Sequence, residues 1–408
     1  MVGLSFASQA TILPAFAAYL GAPNVAIGAI PAVMTLGWFL PSLFAAGHTE
    51  ALRRKLPFVL RHTVWERAPF LVLALAAFVA AERAPGLALG VLLAMLFLVT
   101  GVGGVLMPAW MDIVGRAIPV TLRGRFFALA NLAASAVGFA GSFLTSHVLE
   151  TVPAPRSYGI CFLYASACMA LSYIALALVR EPAASTAAPP VALRTYLARV
   201  PALLRRDANL RRFLLARAFA IAAMMASGFY TVYALAAWDA PPSQAGVFTT
   251  LLLAGQVAGN VSLGWLADRM GHRVVIIVGL AATVGANLLA LGAPSLATFG
   301  AVFVLAGIQG AAISVSNLNV LLEFAPTPRE QPTYVGLGTT SMAPVACGAP
   351  LAAGLAADAF GFTAVFAAAT AAGAIGLALL VFAVRDPRHT REPERLSGAG
   401  PQTTTGAN

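Results

Sequence analysis

Stretches of about 20 mainly apolar residues recur along nearly the whole of this chain, separated for the most part by short turns. A helix of about that length crosses the hydrocarbon core of a bilayer. Inside lipid, a helix satisfies its own backbone hydrogen bonds, so repeated runs of this kind predict a bundle of spanning helices. Composition agrees, since 60% of the 408 residues are hydrophobic and only 10% are charged, against about 25% charged in soluble domains. A soluble core with dispersed apolar residues could match that average, but not the run lengths.

Twelve spans are expected, near 2–20, 24–47, 62–82, 86–111, 125–148 and 157–179, then 211–236, 243–267, 272–292, 296–323, 332–356 and 362–384. Turns such as Gly21-Ala22-Pro23 and Ala84-Pro85-Gly86 hold the residues that end helices. The first run has no basic residue before it and no cleavage signature, so it reads as an uncleaved span rather than a signal peptide. Its abrupt beginning leads one to expect a true start a few residues upstream of Met1.

The arginines set the orientation. With both termini placed in the cytoplasm, 22 of the 25 Lys and Arg residues fall on that side. Arg83 and Arg156 face outward, and Arg217 lies within span 7, about two turns from the cytoplasm, where it could still reach the interface. This is the positive-inside bias, and an error of one span would scramble it. The net charge of +10 is thereby accounted for without nucleic acid. No basic stretch has the interleaved aromatic and polar residues of a nucleic-acid face. The expected setting is the cell (plasma) membrane, a cell inner membrane in bacterial terms, with the lipid bilayer as partner and a monomer as the working unit.

Nothing in the sequence asks for a metal or a cofactor. Cys161, Cys168 and Cys347 lie in apolar runs without metal-ligand spacing, and read as packing residues. His48, His62, His147, His272 and His389 are scattered. No His-Glu-x-x-His pattern or phosphate loop occurs, so neither an integral membrane enzyme nor a nucleotide-driven pump is supported, and no catalytic residue is assigned.

The chain divides into an N-terminal six-helix bundle (1–182), a cytoplasmic linker (183–210), a C-terminal six-helix bundle (211–386) and a polar tail (387–408) expected to be disordered. The halves share their endings. Arg180-Glu181-Pro182 follows span 6 and Arg385-Asp386-Pro387 follows span 12, while Asp112 and Glu323 end spans 4 and 10. Matching halves are the mark of an internally duplicated transporter.

Between spans 8 and 9 stands Gly264-Trp265-Leu266-Ala267-Asp268-Arg269-Met270-Gly271-His272-Arg273. This pattern, G-x-x-x-D-R-x-G-x-R, resembles the loop signature of the major facilitator superfamily. The resemblance extends over the whole chain through the twelve spans and the 6+6 repeat. It implies an all-α membrane fold of two pseudo-symmetric six-helix bundles and a cytoplasmic latch between them. Gly264 would allow close helix approach, Asp268 would meet the start of span 5 near Arg123 and Arg125, and Gly271 would permit the turn. Arg269 and Arg273 would pair with Asp268 or face phospholipid. The first half has no recognisable copy of the motif; Glu50 or Glu66 could substitute. Span 4 has no buried arginine and span 5 no Gly-Pro motif of the kind many proton-coupled drug exporters carry. Gly348-Ala349-Pro350 with Gly354 in span 11 reads first as a packing and bending site.

The resemblance also implies a cargo site near mid-depth, lined mainly by spans 1, 4, 7 and 10. No acidic residue falls there. The candidates are Gln9, Gln256 and Gln309, the deeper Asn260 and Asn317, and the aromatic residues Tyr230 and Trp38. Amides in lipid need partners, so these face the interior, either bonding other helices or touching cargo. Such a lining suits a small neutral or amphipathic solute better than a dianion. Proton coupling, where present, would use Asp112 or Glu323. The expected function is secondary transport by alternating access, with export a guess at direction. The alternative is a transport-inactive sensor or scaffold of the same fold.

Overall fold

The computed structural model describes residues 3–50, 52, 54–118, 120–181, 204–326 and 330–386. Most of the expected linker and the tail from 387 onward therefore lie outside the described residues. Among the described residues the chain is helical, without strands. Eleven helical stretches among them are long and apolar enough to cross a membrane. They are span 2 (Asn24–Glu50), span 3 (Leu56–Val79), span 4 (Pro85–Ala117), span 5 (Val120–Thr151), span 6 (Arg156–Ala177), span 7 (Ala208–Ala237), span 8 (Gln244–Met270), span 9 (His272–Gly292), span 10 (Leu296–Phe324), span 11 (Thr333–Phe360) and span 12 (Phe362–Ala383). The expected span 1 is present as two short helices, Gly3–Phe6 and Ile12–Tyr19.

The break in span 1 has a local cause. Pro14 lacks an N–H, and its ring opposes the carbonyl four residues earlier, that of Ala10. That carbonyl instead accepts the Thr231 hydroxyl of span 7 at 2.9 Å. Span 7 breaks at a matching place. Its first helix ends at Ala223, a 3-10 turn covers Met224–Ala226, and a second helix starts at Tyr230. The first helix of each half is thus interrupted near mid-depth, consistent with the expected duplication.

The two halves pack alike. Span 2 lies on span 4 and span 3 on spans 4 and 6; span 8 lies on span 10 and span 9 on spans 10 and 12. Glycines permit these approaches. A Cβ on Gly37 would overlap the Thr100 hydroxyl, and one on Gly307 the Leu252 carbonyl. Without a hydrophobic drive between helices in lipid, such close packing supplies much of the association energy.

The halves meet through spans 2 and 11 and through spans 5 and 8. A Cβ on Gly28 would overlap the Pro350 carbonyl, one on Gly354 would crowd Asn24 and Val25, and one on Gly246 would crowd Ser146. These contacts lie toward the end of the bundle opposite the Gly271 turn. We call that the far end, and the other the basic end. The Pro350 and Gly354 pattern is therefore a packing site, between spans 11 and 2. The main apolar core lies toward the far end too. Phe16, Tyr158 and Phe162 pack together in the first half, and Tyr230, Phe248, Phe299, Phe303 and Phe366 in the second.

The helix endings shared by the halves brace the basic end. Glu181 accepts the backbone N–H of Lys55 at 2.7 Å and of Leu56 at 3.0 Å, capping span 3. In the second half Asn209 exchanges hydrogen bonds with the backbone of Arg385. Span 3 begins at Leu56, six residues before its expected start, which brings Arg61 into helix. Asp112 lies inside span 4 rather than at its end, because the helix continues to Ala117.

Candidate functional site

A cavity of about 370 Å³ lies between the halves. The broken helices give it much of its polar backbone and side-chain surface, Ser8, Gln9 and Ala10 from span 1 and Met224 and Ser227 from span 7. Span 5 adds Asn131 and Ser135, span 8 adds Gln256 and Asn260, span 9 adds Thr283, and span 10 adds Gln309 and Ser314. None of its lining residues is charged.

Hydrogen bonds order this surface. The Tyr230 hydroxyl donates to Asn287 Oδ1 at 2.6 Å, and Asn287 Nδ2 donates to the carbonyl of Ala223 at 3.2 Å. Asn287 is fully buried, so a span 9 amide satisfies both the tyrosine and the backbone freed where span 7 breaks. Gln309 Nε2 approaches the Met224 sulfur at 3.6 Å. Across the halves, Thr11 and Thr249 share a hydrogen bond of 2.6 Å, Ser142 and Thr250 one of 2.8 Å, and Asn260 Nδ2 reaches Ser135 Oγ at 3.4 Å.

Of the cargo candidates, Gln9, Tyr230, Gln256, Asn260 and Gln309 line this cavity, and Trp38 and Asn317 do not. Trp38 lies over Gly103 and Gly104 of span 4. Asn317 accepts a hydrogen bond of 2.6 Å from Arg217. No residue of span 4 lines the cavity, contrary to the expectation drawn from the resemblance. Its glycine face is occupied by span 2, and spans 5 and 8 take the wall instead. Ser8, Ser227, Thr283 and Asn287 were not singled out from sequence. Small hydroxyls are common in spanning helices, and no periodic pattern marks these.

The signature loop is a turn at the basic end, with Gly271 at φ 90°. Asp268 is exposed. Arg269 stacks over the Trp265 ring at 4.1 Å, and Arg273 donates to the carbonyls of Leu380 and Val381 at the end of span 12, at 2.7 and 3.0 Å. The two arginines therefore engage an aromatic face and a helix C-terminus, where the dipole favours a cation. A Cβ on Gly264 would meet nothing within 4 Å. Span 8 makes its close approaches higher up, at Gly255 and Gly259 against span 10. The side chains of Arg123 and Arg125 lie outside the described residues, as does that of Glu50.

Neither expected proton carrier lines the cavity. Asp112 is bonded to Lys55 at 2.9 Å and also to Arg116. Glu66, the other substitute considered for the latch, accepts from Thr63 and Arg67. Among the described residues no group of His, Cys, Asp and Glu could hold a metal ion.

Residues 213–406 match the sequence model of the Major Facilitator Superfamily. No curated protein matches the chain. Solved structures of the same fold include the nucleoside transporter NupG, at 12% identity and a TM-score of 0.67, covering 93% of this chain and 99% of that one. A POT family transporter in complex with 5-aminolevulinic acid aligns at 14% identity and a TM-score of 0.64, covering 96% of each chain. The E. coli fucose:proton symporter FucP aligns at 18% identity and a TM-score of 0.56, covering 94% of this chain and 97% of that one.

Proposed function

Because this chain has the major facilitator fold, and its second half matches that superfamily's sequence model, we propose that it moves a small neutral or amphipathic solute across a membrane by alternating access. The observation that carries the reading is the central cavity. It lies between the halves, at the breaks of spans 1 and 7, and its walls offer amides, hydroxyls and apolar side chains but no charge. Its size is within the range of small-molecule sites, about 300–1,000 Å³. A dianion placed there would lose its hydration without gaining a countercharge. The neighbours described as carrying a nucleoside and fucose fit the same solute class.

Gln9, Gln256 and Gln309 are the amides we assign to cargo contact, with Tyr230 and Asn260 beside them. With the positive-inside orientation, both termini are cytoplasmic and the far end is the outer side. The structure then corresponds to a form closed outside, with spans 2 and 11 and spans 5 and 8 packed together there. In the opposite form the basic end closes, and Asp268 reaches the start of span 5 near Arg123 and Arg125. Proton coupling through Asp112 or Glu323 belongs to the same proposal; replacing both by neutral residues abolishes any pH dependence of flux.

Uptake of labelled solutes into proteoliposomes tests the reading. Saturable flux of an uncharged or amphipathic solute supports it. Strong preference for a dicarboxylate or a doubly charged phosphate overturns the solute class. Ligand binding without flux, in protein shown to be folded, favours the sensor or scaffold alternative.

A further inference from the structure

Arg217 is the charge that the cavity lacks. It lies on span 7, seven residues before the cavity residue Met224, close to two full turns and therefore on the same face of the helix. Its guanidinium Nη2 donates to Asn317 Oδ1 at 2.6 Å. Asn317 in turn lies three residues beyond Ser314, another cavity residue, on the same side of span 10. The guanidinium thus sits between spans 7 and 10, about 10 Å from Met224 along the helix axis toward the basic end.

Its partners are too few for its charge. The other terminal nitrogen, Nη1, is buried and has no hydrogen-bond partner among the described residues. Ion pairs join Lys55 and Arg116 to Asp112, Arg67 to Glu66 and Arg206 to Glu330, and Arg217 has no carboxylate partner among the described residues. Nor does it reach water with its whole head, as a snorkelling arginine would. A half-buried cation whose one hydrogen bond among the described residues is to a neutral amide is costly, and in a spanning helix such a group ordinarily marks a ligand or ion path. An arginine fork presents two parallel donors suited to one carboxylate, and here one of its terminal nitrogens is unused.

We propose that Arg217 is a specificity residue at the basic-end mouth of the cavity, and that it selects a cargo bearing a single anionic group, a carboxylate or a singly charged phosphate-type head. This rests on the transport reading above and narrows its solute class. The uncharged cavity takes the body of the solute, and the guanidinium takes the charged end. Asn317 is the positioning residue that holds the fork toward the mouth.

The test uses the full chain in nanodiscs of phosphatidylcholine and reads the thermal midpoint against benzoate and benzamide, which share a ring and differ in charge. Benzoate is expected to raise the midpoint saturably, at a half-saturating concentration roughly tenfold below that of benzamide. Arg217→Gln abolishes that difference, Arg217→Lys keeps part of it, and Asn317→Leu weakens benzoate by several-fold. Equal action of the two compounds on the unaltered protein, no action of either, or an unchanged preference in Arg217→Gln overturns the proposal. Where Arg217→Gln does not fold, Arg217→Lys and Asn317→Leu decide, and an unchanged benzoate preference in both overturns it. Nanodiscs containing phosphatidylglycerol separate a solute from a lipid headgroup. Stabilisation by that lipid through Arg217, with no further effect of benzoate, overturns the cargo assignment. Binding is read here without transport, so a failed flux assay would leave this result standing.

Discussion

Asp358, near the end of span 11, holds the start of span 2 at Asn24. One carboxylate oxygen accepts the backbone N–H of Asn24 and the other that of Val25, each at 3.0 Å. The first N–H groups of a helix have no partner inside it, and the helix dipole favours an anion there. A residue of one half thus caps a helix of the other. Replacing Asp358 by Asn removes the charge and leaves one oxygen to accept. We expect the far end to open about threefold more often, a change well under 1 kcal/mol because the site is exposed. Labelling of a reporter cysteine at that end by an impermeant maleimide, in a background without Cys161, Cys168 and Cys347, measures it. Unchanged labelling would show that the cap does not hold the halves.

The glycines beside that cap are expected to matter more. Gly28→Ala places a Cβ against the Pro350 carbonyl, whereas Gly264→Ala enters open space. Gly28→Ala should therefore lower the thermal midpoint and separate spans 2 and 11, at a cost of about 1–3 kcal/mol. Gly264→Ala should leave stability within about 0.5 kcal/mol. Equal effects of the two would mean that span 2 can shift away at little cost.

Asn287 is the hinge of the polar network behind the cavity. Asn287→Ala leaves the Tyr230 hydroxyl and the Ala223 carbonyl without their partner, at an expected cost of about 1–3 kcal/mol. Tyr230→Phe removes one donor and costs about 0.6–1.7 kcal/mol. Thermal unfolding of the two variants and of the double variant checks both values. The double variant should cost less than their sum, since the residues share one bond.

Asp112 braces the basic end. Its replacement by Asn leaves the buried Lys55 ammonium without an anionic partner. A loss of about 1.5–3 kcal/mol is expected, the range for hydrogen bonds to charged groups, because Asp112 itself is partly exposed. Restoration of the midpoint by the further change Lys55→Met would identify the stranded ammonium as the cause.

Gln256→Ala is expected to raise the KM for cargo with little change in thermal midpoint. Gln256 lines the cavity, and none of the hydrogen bonds described above depends on it. A fall in stability without a change in KM would make it a packing residue.

Much of the architecture was legible before any coordinates. Run length gives spanning helices because lipid demands internally satisfied backbone, and arginine placement orders them because charges avoid the hydrocarbon. The turn at Gly271 could also be read, since a tight reversal between helices favours a residue free to take positive φ. The interruption of span 1 is hard to read from sequence, although Pro14 is its cause, because the apolar run passes unbroken through it. Span 7 broke without a proline.

Gln9, Gln256 and Gln309 could be named because a lone amide stands out in an apolar run. Asn287 could not be told from an amide that merely joins two helices. Arg217 reads from sequence as free to reach the interface, but its guanidinium bonds Asn317, a hundred residues further along the chain.

The sequence by itself determined where the apolar segments lie and their order along the chain, because these follow from the local cost of placing each residue in lipid. Only the tertiary structure decided that spans 5 and 8, and not span 4, wall the cavity. It also decided that Asp358 caps span 2 and that Arg217 is half-buried, with its Nη1 unused among the described residues. Those relationships join residues distant in the chain, and they are set by which glycine faces let helices approach.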